Sequence, residues 1–328
     1  MPLFVFCDDF EYNNALGSHS KSLGGVYVSL PFLPPEYQST IDNILLALLY
    51  KTSYRKEFGD EKVFAPLIAE LAKLEKEGII ISSPSGPTRV YFVLGLLLGD
   101  NKGLNSLLGF VECFVANYFC RFCKTHRNET HVQCVENKDS LRTEDSYAQD
   151  VATNDPSLTG VKYNSALNLV PSFKATSNYC VDTFHDFGEG NCHYGMGQVL
   201  KHCVPKYFTI DTLNERIRLF DFGLVESNKV PQLSPNFASK DKFKMSGSET
   251  LLFVKLFGVL VGDLVPSNDP YWSLYIKLRQ ILDICLAKSI SVSQVGILKV
   301  LVEEFNSMYL SITGDNLKPK MHFWSITL

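Results

Sequence analysis

Leu3–Cys7 (LFVFC) runs straight into Asp8-Asp9, and Val90–Leu98 (VYFVLGLLL) ends in Gly99-Asp100. Each is an apolar run of strand length stopped by turn-forming residues, so each reads as a β-strand with a carboxylate at its end. The second is apolar at consecutive positions, which predicts a strand covered on both faces, as in an α/β sheet. Gly25–Leu33, ended by Pro34-Pro35, reads as another strand, and Gly78–Ile81 as one more, parted from Val90 by the turn formers Ser82–Pro87. Between them Phe64, Leu67, Ile68, Leu71 and Leu74 recur at helical spacing, with Gly78 as the stop.

Downstream the pattern changes. From Lys124 to about Gly160 the chain is polar and aperiodic, which predicts an exposed excursion. Beyond it Leu213, Ile217 and Phe220 share a helical face, and helices are expected over Ser246–Gly262, Tyr271–Ala287 and Val292–Leu310. Ser246-Gly-Ser-Glu249 is a capping box, which assigns Glu249 to helix initiation rather than chemistry. The expected organisation is an α/β front half over 1–124, the excursion over 125–165 and a mostly helical region over 166–328.

A chain of 328 residues with 45% hydrophobic and 20% charged residues has the composition of a globular protein of about two domains, or of one domain with a large insertion. No apolar run approaches the roughly 20 residues of a membrane span, and the N-terminus meets Asp8-Asp9 without a basic segment before it, unlike a secretory signal. The nine scattered cysteines fit reduced thiols with a metal pair better than a disulfide framework. A nuclear or cytoplasmic, reducing location is expected, with neither membrane association nor secretion. The net charge of −4 leans away from a free-standing nucleic-acid binder. Phosphate-loop, dinucleotide and nucleophile-elbow motifs are absent, so no nucleotide cofactor is expected.

Three clusters carry candidate chemistry. Asp8 and Asp100 would emerge at one sheet edge if their strands are parallel neighbours, in reach of shared divalent cations; acidic residues also end strands simply as turn formers. Cys120-Arg-Phe-Cys123 is a C-x2-C pair, half a zinc site or two buried thiols, and His126, His131 and Cys134 follow closely. In Val181–Gly190, His185 with Asp182, Asp186 or Glu189 has the composition to bind metal, orient a phosphate or cap a helix.

Taken in order, these segments resemble the catalytic domain of CACTA-type cut-and-paste DNA transposases. The matching pieces are Phe6–Glu11 with Asn14–Ser18, Gly25–Pro31, Leu98-Gly-Asp100, Cys120-x2-Cys123, Val181–Asp186, Lys244–Glu249 and Leu317–Phe323. The resemblance implies an RNase H-like mixed sheet interrupted by a largely helical insertion. It also implies strand cleavage by three acids (a DDE site) holding Mg²⁺ or Mn²⁺, a zinc site, DNA as partner, and a nuclear, transposable-element origin. Asp8 and Asp100 match the first two acids. Asp9, Asp182 and His185 stand as active-site support, and Cys120, Cys123 and His322 as zinc ligands. Ile326 stands where the second zinc histidine is expected, and no segment matches the third acid, so the end of the core is expected to be missing. The implied protein is catalytically incomplete. Lys240, Lys242, Lys244 and the Arg121–Arg127 region are the candidate DNA contacts; the alternative is a non-catalytic interaction module that binds DNA, a protein partner or a second copy of itself.

Overall fold

The computed structural model describes residues 1–12, 22–38, 40–223, 228–235, 237 and 244–327. The Asn14–Ser18 motif, Lys240 and Lys242 lie outside them. The chain is mixed α/β and divides into two compact units. The first comprises 1–127 with 140–182, the second 128–139 with 183–328.

The first unit is built on a mixed sheet of β1 (Pro2–Glu11), β2 (Ser22–Ser29), β3 (Ile44–Lys51) and β6 (Val93–Leu98), in the order β3-β2-β1-β6. β1 and β2 pair antiparallel, as do β2 and β3, whereas β1 and β6 run parallel. Between β3 and β6 come α1 (Asp60–Lys76) and a separate hairpin of β4 (Ile79–Ser83) and β5 (Gly86–Val90). Leu3, Val5 and Cys7 alternate onto the buried face of β1, and α1 supplies Phe64, Leu67, Ile68 and Leu71 to the same core. Tyr179 forms a parallel bridge to Leu97, and the Leu97 N–H donates to the Asn178 carbonyl at 2.8 Å, so the chain near 178–179 extends the sheet beyond β6.

Several expectations are corrected here. The run Val90–Leu98 is broken at Tyr91-Phe92, where the chain leaves the hairpin and enters the sheet. Only one face of β6 is sealed: Leu94 and Leu97 are buried, while Val93 is exposed. β2 lies earlier than Gly25–Leu33, since residues 31–33 already turn. The polar stretch after Lys124 is not an open excursion. It contains α3 (Glu144–Thr153), whose Tyr147 is buried and donates its hydroxyl to the carbonyls of Leu108 and Tyr163, and Arg142 is buried too. Against the expected boundaries at 124 and 165, residues 140–182 pack with the first unit and 128–139 with the second.

The second unit is helical. A wide turn of helix over Phe184–Asn191 leads into α4 (Cys192–Cys203), followed by α5 (Ile210–Leu219), α6 (Gly247–Val261), α7 (Pro270–Cys285), α8 (Val292–Thr313) and α9 (Pro319–Thr327). Phe253, Phe257, Leu278 and Phe305 lie among its fully buried side chains. The capping box at Ser246 forms as expected: the Glu249 N–H donates to the serine oxygen, and the Ser246 N–H donates to the Glu249 carboxylate. Gly188 meets Gly247 so closely that a Cβ on it would lie 3.0 Å from the Gly247 backbone. Among the described residues no helix is long and apolar enough to cross a membrane.

Candidate functional site

The register of the sheet sets the site. Phe6 pairs with Leu98 across the parallel β1–β6 ladder, so Asp8 and Asp100 each lie two residues further on at the same edge. Both line one cavity of about 360 Å³, together with Cys7, Asp9, Tyr50, Arg55, Lys102, Ser106 and Glu112. Asp100 is also the N-cap of α2 (Asn101–Leu107), its side chain accepting from the Gly103 N–H. The turn-former reading of Asp100 and its position at the cavity therefore hold together: capping occupies one carboxylate oxygen and fixes the group. Asp8 accepts the Asp9 N–H at 2.8 Å.

Charge in this cavity is mixed. Arg55 donates from Nε and Nη2 to the two carboxylate oxygens of Asp60, both at 2.8 Å, and from Nη2 to the Ser106 hydroxyl at 3.0 Å. Burial acts against its charge, but the bidentate pair with Asp60 more than offsets this and its pKa is raised. Asp9 is pushed above the usual carboxylate range, first by loss of solvation at the cavity wall and then by the neighbouring Asp8 and Asp100, with Arg55 pulling the other way. Burial pushes the Cys7 thiol up to about 12, so it stays protonated at neutral pH. Glu112, half-buried, accepts from Lys162 at 2.8 Å. Sequence reasoning missed Arg55, Tyr50, Lys102, Ser106 and Glu112, because nothing local marks residues that four separate segments bring to one cavity.

Cys120 and Cys123 are buried in the first unit. His322, the third expected ligand, is buried in the second unit. The Cys120 and Cys123 thiols lie within hydrogen-bond reach of each other, and such a paired set of sulfurs is suited to a metal such as zinc. The other nearby candidates have contacts of their own: the His126 ring packs edge-on against Tyr118, the His131 ring lies 3.4 Å from the Asn316 amide, and the Cys134 thiol points to the Val132 carbonyl. The carboxylate oxygens of Asp8, Asp9 and Asp100 do not all lie within 4.8 Å of one another.

The remaining candidates are placed elsewhere. Asp182 acts on the Cys180 thiol, whose pKa is raised by burial, lowered by Arg121 and raised again by Asp182. His185 belongs to the helical unit, with its ring edge-on to Phe184 and its carbonyl accepting from Lys320 at 2.7 Å. Arg121, expected at a DNA surface, has no solvent exposure, whereas Lys244 is exposed. Compared with known proteins, the chain matches no family model and no curated protein.

Proposed function

We propose that this is a transposase-derived protein with an RNase H-like core, whose acidic cavity holds a divalent cation and whose strand-cleaving chemistry is incomplete. The observation that carries this reading is the parallel pairing of β1 and β6, which brings Asp8 and Asp100 to one cavity. The strand order supports it as well, with three antiparallel strands, a fourth parallel to the first, and a helical unit beginning soon after the bridge at Tyr179. Two aspartates would hold Mg²⁺ or Mn²⁺ and a scissile phosphate would bind across the ion, with Lys102 and Arg55 supplying positive charge. No segment matches the third acid of the family. Losing one electrostatic element of this kind costs on the order of 10²- to 10³-fold in rate. Incubation of supercoiled plasmid with the protein and Mn²⁺ should give at most slow nicking, and any such nicking should be abolished by Asp8→Ala with Asp100→Ala. Nicking that survives in the double variant, or rapid turnover by the wild type, would overturn this reading.

One observation favours a second reading, a non-catalytic module that pairs with another copy of itself. The outer sheet face carries exposed apolar side chains, Phe6 and Phe10 on β1, Leu46 and Leu49 on β3 and Val93 on β6, and β3 ends the sheet with an open hydrogen-bonding edge among the described residues. Under this reading sedimentation shows a dimer that Leu46→Lys dissociates; a monomer at all concentrations excludes it.

A further inference from the structure

We propose that Arg121 is a positioning residue that ties the Cys120–Cys123 pair to the helix beginning at Asp100, so that a metal held by the two thiols also sets the acidic cavity. The inference rests on the cavity reading given above. In a C-x2-C knuckle the two sulfurs turn to one side, and the residues between them face elsewhere. Here Arg121 is fully buried, its guanidinium stacked at 4.6 Å on Phe122 and 5.4 Å on Tyr179. Nη2 donates to Asn101 Oδ1 at 2.9 Å and Nη1 donates to Asn105 Oδ1 at 3.2 Å. Asn101 and Asn105 are four residues apart, hence on one face of α2, and the planar guanidinium fork spans that face. α2 is the helix that Asp100 caps.

The knuckle itself is held at every step. The Phe119 carbonyl accepts from the Asn105 amide at 3.3 Å, the Cys120 carbonyl from Arg142 Nε at 3.1 Å, the Arg121 carbonyl from the Tyr179 hydroxyl at 3.1 Å and the Phe122 carbonyl from the Arg142 N–H at 2.9 Å. A shift of the cysteines therefore carries the Arg121 fork with it, and the fork pulls on two amides of α2. Closing the thiols on zinc removes that freedom, and Asp100 is fixed with the helix.

The test is amide hydrogen exchange on the full-length protein, zinc-loaded and chelated. In the wild type, zinc slows exchange of the α2 amides on the order of tenfold relative to those of β2 and β3. In Arg121→Lys zinc still binds, but the selective slowing of α2 is lost. Asn101→Leu loses it too, while Asn101→Asp, which keeps the acceptor, retains it. Should Arg121→Lys fold poorly, the two Asn101 variants carry the comparison. A wild-type protein that takes up no zinc, an α2 indifferent to zinc, or slowing retained in both Arg121→Lys and Asn101→Leu would overturn the proposal. Because exchange is read without DNA or Mn²⁺, its outcome is separable from that of the plasmid assay.

Discussion

Asp9 carries the electrostatic cost of the cavity. Its pKa is raised in the folded chain, so the folded state holds the Asp9 proton more tightly than the unfolded state does. Stability from this group therefore grows as pH falls through the raised pKa and is lost above it. Asp9→Asn should raise the melting temperature at pH 7 and flatten the acid side of the stability profile; a fall at pH 7 would contradict the cause assigned here. Asp269 has the opposite sign. It is buried at the start of α7 and accepts from Tyr207 Oη at 2.7 Å, from His202 Nε2 at 2.8 Å and from the N–H groups of Tyr271 and Trp272. Burial opposes its charge, but these donors outweigh burial and hold its pKa well below the carboxylate range. Its contribution is present above the ordinary pKa of about 4 and is lost only as pH falls towards the depressed value. Asp269→Ala should cost about 2 kcal/mol at pH 7 in urea unfolding, from a lost cap and unpaired donors. At this scale the apolar runs that lead into Asp8 and Asp100 and the C-x2-C spacing single out these residues, although Asp8 does not end its strand: β1 runs on to Glu11, with Asp8 paired to Gly25. Arg55 and Arg121 were illegible, since an arginine with no local partner reads as surface until the fold supplies Asp60 or Asn101 and Asn105.

At the scale of elements, period and punctuation were enough for most of the helices. α1, α6, α7 and α8 lie within a few residues of the expected spans, because each has an apolar face together with a cap or a stop residue. Ser246→Ala should destabilise by about 1 kcal/mol by removing the oxygen that accepts the Glu249 N–H; an unchanged urea midpoint would show that the cap contributes nothing. β3 escaped notice because Ile44–Tyr50 is apolar throughout and shows no alternation, and its environment explains why: as an edge strand, it leaves Leu45, Leu46 and Leu49 exposed. The segment around Tyr147 was misread for the converse reason. Its polar composition hides the fact that one buried tyrosine and one buried arginine satisfy carbonyls from other loops.

For the whole molecule, composition bounds the size of the units but not their course, since 128–139 packs with a unit that resumes only at 183. No linear reading of polarity reveals such an interleaving. The thiol pair makes a prediction at this scale: the protein should take up zinc, and chelation or Cys123→Ser should lower its melting temperature by about 5 °C. A melting temperature indifferent to both would reduce Cys120 and Cys123 to packed thiols. The feature on which the proposed function turns is the acidic cavity at the β1–β6 edge. Its most direct test is a titration of the full-length protein with Mn²⁺, followed by electron paramagnetic resonance. A weak Mn²⁺ site is expected that disappears when Asp8 and Asp100 are both changed to alanine; no bound Mn²⁺ in the wild type, or the same binding in the double variant, would show that these carboxylates hold no cation.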